Sequence, residues 1–385
     1  MNRVLGIAAI ILIVVVGALL IINAPPSNHA SPATGQAVAA PQSRIVLGWM
    51  GPLTGDVATV GQQSRAAAEL AADEVNAEGG INGARLEIIF EDAKCNGKEA
   101  ASAAQKLVNV DHVPVVIGGL CSSETLSAAP IAERGKTVLF SPCSSAPAVT
   151  NAGDFVFRNY PSDAFQGKVA AEYAFNKLGK RKVAVLYCLS DWCTGLRDVF
   201  SKRFTELGGQ IIASEGYEQS TKDLRAQLTK IKDAAPDLLY FVAYTEASIV
   251  GLKQAKELGL NTQIMGGDAW EDPKIWSEVG EAGENALYFA PSSPANEEFK
   301  NKMLAKDANE ITVCTPNAYD AVKIVAQVMR QVGTDPEKIK EALYKVQGYN
   351  GVSGEISFDE NGDLKAAAYN VKQVTNGTPV VIDTA

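Results

Sequence analysis

Ile45-Val46-Leu47-Gly48-Trp49-Met50 is an unbroken apolar run, a helical pattern follows over Gln63–Asn76, and a second apolar run, Leu86–Phe90, comes next. Gly79-Gly80 stops the helix between them, as glycines beyond a helix C-terminus do. Both strand candidates are continuously apolar rather than alternating, which is the pattern of a parallel sheet covered on both faces. The unit repeats with strands Val115–Ile117 and Val138–Phe140 and helices Lys98–Asn109 and Glu124–Arg134.

A second series begins near Tyr160. Its strands are Val183–Tyr187, Ile211–Ala213, Leu238–Val242 and Gln263–Met265, and its helices are Ala164–Leu178, Gly195–Leu207, Leu224–Asp233 and Ala247–Leu258. Two consecutive βαβ series predict an α/β protein of two doubly wound parallel-sheet lobes. The 385 residues suit two domains of ordinary size. Ligands of such sheets bind beyond the carboxyl ends of the strands, so two lobes facing each other make a cleft.

The tail differs. Helices Asn296–Ala305, Ala318–Val332 and Pro336–Val346 precede short β runs at Glu355–Phe358 and Ala367–Gln373. Between these runs, Asp359-Glu360-Asn361-Gly362-Asp363 lacks the EF-hand spacing and its closing glutamate. It reads as a tight hairpin turn carrying Asn-Gly.

At the N-terminus, Arg3 precedes an uncharged apolar run from Val4 to Ile22, followed by a linker over residues 23–43 rich in Pro, Ser and Ala. Nineteen residues at ~1.5 Å each approach a bilayer core of about 30 Å. The run is longer than a signal-peptide core of about 7–15 residues. It predicts an anchor with the body on the periplasmic or extracellular face, the positive end inside. A cleaved signal, with Ala37-Val38-Ala39 as the cleavage-like stretch, is the alternative.

The formal net charge of −9 excludes a general nucleic-acid binder. Of two histidines, His29 falls in the linker, and His112 has no neighbour that supports a Ser-His-Asp or Cys-His mechanism. No P-loop or G-x-G-x-x-G follows a strand, and no residues have metal-ligand spacing. The sequence therefore predicts binding rather than catalysis, with no cofactor and no metal. The six cysteines, Cys95, Cys121, Cys143, Cys188, Cys193 and Cys314, are compatible with disulfides in an exported chain, or with buried thiols.

Ordered motifs then add a resemblance. Trp49-Met50-Gly51-Pro52-Leu53-Thr54-Gly55, Gly61 and Asn76-Ala77-Glu78-Gly79-Gly80-Ile81-Asn82-Gly83 open the body. Val116-Ile117-Gly118-Gly119-Leu120-Cys121-Ser122-Ser123, Ser141-Pro142, Gly266-Gly267-Asp268 and Phe358-Asp359-Glu360-Asn361-Gly362-Asp363-Leu364 follow in order. From Ile45 to the C-terminus the chain resembles the leucine/isoleucine/valine-binding proteins, type I periplasmic binding proteins of ABC importers. The resemblance implies a three-segment hinge near residues 160–163, 290–292 and 350–354. It implies a first lobe of 44–160 plus 291–350 and a second of 161–290 plus 351–385. The implied partners are a small amino-acid ligand and ABC permease subunits. The alternatives on the same fold are a binder of an amide, urea or carboxylic acid, or a membrane-tethered sensing ectodomain.

The implied site follows the needs of a zwitterion. Ser122 and Ser123, between a strand and a helix, suit the carboxylate. Ser144 and Ser145 occupy the second ligand loop, where Ser145 keeps a family hydroxyl and Cys143 replaces a glycine. Asp268 stands where the family has an ammonium-binding glutamate, and Trp192 where it has a covering tyrosine. Tyr244 and Trp270 are further wall candidates, and Val60 stands in place of a pocket-closing aromatic. The family carries a cysteine pair at Cys95 and Cys121. Cys188 and Cys193 are expected to bridge around Trp192, unless both are free thiols, and Cys143 with Cys314 is the pair that remains.

Overall fold

The computed structural model describes residues 43–292, 297–306 and 311–385. The apolar run 4–22, the linker up to residue 42 and Asn296 lie outside the described residues. Among the described residues, no helix is long and apolar enough to cross a membrane.

The first sheet contains β1 (Arg44–Gly51), β2 (Arg85–Asp92), β3 (Val115–Ile117), β4 (Val138–Ser141) and β5 (Val156–Arg158), in the order β2-β1-β3-β4-β5, all parallel. Between the strands run α1 (Ala58–Ala77), α2 (Gly97–Asn109) and α3 (Ser122–Gly135). The second sheet is built from β6 (Lys182–Cys188), β7 (Gln210–Tyr217), β8 (Leu238–Val242), β9 (Gln263–Gly266) and β10 (Leu287–Pro291). Its helices are α4 (Asp163–Glu172), α5 (Asp191–Glu206), α6 (Arg225–Ala234), α7 (Thr245–Glu257) and α8 (Pro273–Val279).

The chain then passes to α9 (Glu297–Leu304), α10 (Thr315–Val332), α11 (Pro336–Leu343) and the small antiparallel pair β11 (Tyr349–Gly351) and β12 (Gly354–Ile356). It ends in the hairpin β13 (Tyr369–Thr375) and β14 (Thr378–Thr384). Antiparallel pairing of β10 with β13 gives the second sheet the order β14-β13-β10-β9-β8-β6-β7. The doubly wound architecture with parallel strands stands as the sequence predicts.

Fully buried strands explain the continuous apolar runs: Leu238–Val242 is buried at all five positions, and so is Val138–Ser141 at all four. Each sheet has its own core. The first joins Leu47, Trp49 and Phe140 to Ala67, Ala68 and Ala71 of α1 and to the apolar face of α10. The alanines let α1 and α10 pack closely. The second core centres on Phe200, Phe204, Tyr240 and Trp270.

One boundary differs from the sequence reading. Residues 351–364, expected in the second lobe, pack on the first core. Ile356 and Phe358 are buried there, with the Phe358 ring 5.6 Å from Phe140 and 5.7 Å from Phe157. Asp320 of α10 fixes the segment by accepting from the Val352 and Ser353 amides and the Ser353 hydroxyl. The acidic turn closes on a bridge between Phe358 and Leu364, and its Asp359 carboxylate accepts from the amides of Asn361 and Asp363. The third passage between the sheets therefore runs between Leu364 and Tyr369, not near residues 350–354. The strand that follows the turn pairs with β10, not with β12.

Candidate functional site

The ends of β3 and β4 carry the two loops of the first sheet's carboxyl edge. At the first loop, Gly118 has φ +135°, and a Cβ there would sit 2.1 Å from the Met50 carbonyl, so glycine is required. Helix α3 then starts at Ser122. Cys121 is its N-cap, so Ser122 is the first helical residue and not the cap. Glu124 completes the turn: its carboxylate accepts the amides of Cys95 (2.7 Å), Leu120 (2.9 Å) and Cys121 (3.0 Å). Burial raises the Glu124 carboxyl to about 7 against the pull of those three donors.

The disulfide Cys95–Cys121 fastens the same loop. Cys143–Cys314 fastens the second loop to the start of α10, and Cys188–Cys193 closes the end of β6 on the first turn of α5. Loop to loop, the Ser122 hydroxyl accepts from the Ala146 amide at 3.1 Å. The Ser122 O–H is left to point at an acceptor, beside the N-terminal dipole of a 14-residue helix.

A cavity of about 50 Å³ lies between the two sheets' carboxyl edges. A water needs roughly 10–15 Å³ by the same measure, so the opposing walls nearly touch. From the first side it is lined by Val57, Val60, Leu120, Cys121, Ser122, Cys143, Ser145 and Val313, and from the second by Trp192, Tyr244, Thr245, Asp268 and Ala269. Lys222 and Asp56 pair across the two sides at 2.8 Å. Larger surface grooves, such as the one of about 620 Å³ beside α10 and α11, lie away from these residues.

The cavity brings together Ser122, Ser145, Trp192, Tyr244 and Asp268. Trp192 sits on the first helical turn of α5 and not on a loop, because Ser190 caps that helix earlier than the sequence reading placed its start. Its ring lies 4.7 Å from Tyr244, and both are buried.

Three expected residues stand elsewhere. The Ser144 hydroxyl is held inside the loop scaffold, 2.7 Å from Thr125 Oγ1 and within reach of the Gly119 and Leu120 carbonyls. Ser123 Oγ is buried without a partner and does not line the cavity. Trp270 turns into the second core, with its ring 6.0 Å from Phe241 and 5.8 Å from Trp276.

Asp268, 5% exposed, follows β9. Its Oδ2 accepts the Tyr160 O–H at 2.6 Å, and its Oδ1 has no partner. Burial pushes its carboxyl upward, against the hydrogen bond from Tyr160. A fully buried second carboxylate, Asp163, accepts the Ser145 O–H at 3.0 Å, and it too has an unpartnered Oδ1. The cavity is thus polarised. A helix N-terminus and a hydroxyl donor stand on the first side, an acidic oxygen free to accept stands on the second, and apolar surface fills the rest.

Comparison with known proteins follows this geometry. A family model described as periplasmic binding protein matches residues 44–378. The chain belongs to the periplasmic binding protein family. The leucine-, isoleucine-, valine-, threonine- and alanine-binding protein of Pseudomonas aeruginosa is 33% identical to this periplasmic binding protein over 333 residues, 85% of this chain and 89% of that one.

Among solved structures, the branched-chain amino acid transporter substrate-binding protein of Streptococcus pneumoniae, in complex with isoleucine, is similar at 27% identity. Its TM-score is 0.81, covering 89% of this chain and 99% of that one. An ABC transporter solute-binding protein of R. palustris, in complex with 4-hydroxybenzoate, shares the fold at 20% identity with a TM-score of 0.80, covering 89% and 97%. The resemblance to the leucine/isoleucine/valine-binding proteins drawn from the motifs holds.

Asp163 and the cavity-lining Val57, Thr245, Ala269 and Val313 had no signal in the sequence reading. Asp163 lies in a segment read as hinge, and Val313 precedes a cysteine assigned only by remainder.

Proposed function

We propose that this protein is the extracytoplasmic substrate-binding component of an ABC importer, a carrier and not a catalyst. It grips an α-amino acid with an apolar side chain between its two lobes. The observation that carries the reading is the unpartnered Oδ1 of Asp268, a buried residue that lines a cavity whose opposite wall holds Ser122 at a helix N-terminus. An unpaired acceptor of this kind is costly unless a donor arrives, and an ammonium supplies one. The ligand carboxylate meets Ser122 O–H and the first-turn amides of α3, and its side chain meets Val57, Val60, Leu120, Trp192 and Tyr244. Neither side alone satisfies both charges, so ligand stabilises the closed arrangement by hinge bending, and the permease subunits read that shape. The apolar run 4–22 tethers the body to the membrane in this reading, which detergent-dependent release from washed membranes tests.

The function is tested by a thermal-shift screen of the twenty amino acids, short amides and aromatic acids, followed by calorimetry. Asp268→Ala is expected to weaken the best amino acid by 30-fold or more, since removing a desolvated charged partner costs about 2–5 kcal/mol. Ser122→Ala costs less, about 1–3 kcal/mol, because backbone N–H groups remain. Stabilisation by aromatic acids alone, or an unchanged affinity in Asp268→Ala, sinks the amino-acid reading.

A further inference from the structure

Behind the cavity wall stands one carboxylate more than a single ammonium needs. Asp163 opens α4, and Asp268 ends the loop after β9. Both are buried. Each accepts one hydroxyl, from Ser145 and Tyr160, and each keeps one oxygen without a partner.

The nearby cation cannot serve them. Arg158 has five N–H donors, and all are placed. Nε and Nη2 go to the two Asp363 oxygens, at 2.6 Å each. Nη2 also goes to Thr150 Oγ1, and Nη1 goes to the carbonyls of Ala146 and Ser144.

The other groups that face the pair are tyrosines 160, 240, 244 and 369 and, farther off, Glu124. Burial first, then the carboxylates, raises all four phenols, so they stay neutral and add no positive charge. Glu124 is committed to three amides. Two bare carboxylates buried there would have only the charge of Arg158, already committed to Asp363, to offset them. Burial, and next the charge of Asp268, hold the Asp163 carboxyl well above its ordinary range.

We propose that Asp163 and Asp268 hold one proton between them and that the ammonium of an incoming ligand expels it, so that binding is proton-linked and selects for ligands that carry a cation. The proposal rests on the amino-acid reading and deepens it. The step balances: a carboxylic acid and a carboxylate meet R–NH₃⁺, the ammonium then pairs with Asp268 while Asp163 stands ionised behind Ser145, and one H⁺ leaves to solvent. Ligand prefers the deprotonated pair. Affinity therefore rises with pH wherever the proton is released, by up to about tenfold per pH unit for one proton. An aromatic carboxylic acid brings no cation and expels nothing. Asp163 acts as a positioning residue here, one hydroxyl (Ser145) away from the cavity wall.

Two measurements test this. Infrared spectra of the protein without ligand at pH 7 should contain the carbonyl stretch of a protonated carboxylic acid that Asp163→Asn and Asp268→Asn each lack. Equal bands in all three overturn the proposal. Calorimetry of wild type with L-leucine in phosphate and in Tris, which differ in ionisation enthalpy, should report release of about one proton per ligand. Asp163→Asn should release almost none and lose most of the pH dependence of affinity. Leucine binding without proton release overturns the inference and leaves the amino-acid reading intact. A band that is present while no amino acid binds sinks the amino-acid reading and the expulsion with it, and leaves the shared proton standing. The wild-type calorimetry needs no variant, so a variant that fails to fold does not rescue the idea.

Discussion

Replacing Arg158 with methionine removes the guanidinium that joins three distant parts of the first lobe. Arg158 is fully buried, and Asp363, its bidentate partner at 2.6 Å, has a side chain 11% exposed. After Arg158→Met the Asp363 charge keeps the Thr150 hydroxyl at 2.7 Å but loses its countercharge. Breaking a buried pair from one side costs about 3–5 kcal/mol. The Ala146 carbonyl, 2.9 Å from Nη1, also loses its donor, so the upper half of that range is expected. The double variant Arg158→Met/Asp363→Leu removes both charges. It should recover to within about 2 kcal/mol of wild type, the residue being the orphaned loop carbonyls. Urea denaturation at pH 7 measures both. A single variant within about 1 kcal/mol of wild type refutes the argument. So does a double variant whose loss equals the sum of the two singles, since additivity means no coupling.

Removing Cys95–Cys121 with paired alanines should lower stability by about 3–4 kcal/mol in the chain-entropy model for a 26-residue separation. Cys188–Cys193, separated by 5 residues, should cost about 2 kcal/mol by the same formula, and equal losses would contradict it. The folded Glu124 carboxyl stands at about 7 against an ordinary 4.5, so the folded state holds the extra proton between those values. The stability lead of wild type over Glu124→Ala should accordingly shrink as pH rises from 4.5 toward 7 and level off above it, and a lead that grows over that range disproves the assignment. Gly61→Ala would place a Cβ 1.8 Å from the Pro52 carbonyl. Helix α1 would have to shift at a cost of about 1–3 kcal/mol, moving the Val57 and Val60 wall, and denaturation showing no loss would argue against so close a contact.

What the sequence revealed follows from locality. Val183–Tyr187 and Leu238–Val242 read as strands because residues buried on both faces must be apolar throughout. Ser122 and Asp268 stood out because each follows a strand where the resemblance to the leucine/isoleucine/valine-binding proteins implies a partner for the ligand's carboxylate or ammonium. The third hinge passage was misplaced for a physical reason. Glu355, Ile356, Ser357 and Phe358 alternate polar and apolar, and alternation says that one face is buried but not against which lobe. Asp320, 32 residues upstream of Val352, settles it through contacts no window detects. Trp192 falls before the helix start read at Gly195 because the α5 cap, Ser190, stands only one residue beyond the end of β6. The acidic pair escaped notice because Tyr160 and Asp268 are 108 residues apart and Asp163 meets its neighbours only in the fold. Ser144 shows the converse: a hydroxyl in the expected loop, turned inward to hold Thr125.

The loop over residues 141–146 is completed from far downstream. Its Cys143 is joined to Cys314, and Arg158, which holds the Ser144 and Ala146 carbonyls, is neutralised by Asp363. A chain made from its N-terminus therefore presents the cavity wall up to Val313 before Asp363, the partner that neutralises the loop's cation, is in place. The loop reaches its fixed shape only when that last part of the chain has been made. In the full chain, Asp363→Leu should leave the wall residues in place while the guanidinium that holds the Ser144 and Ala146 carbonyls loses its countercharge.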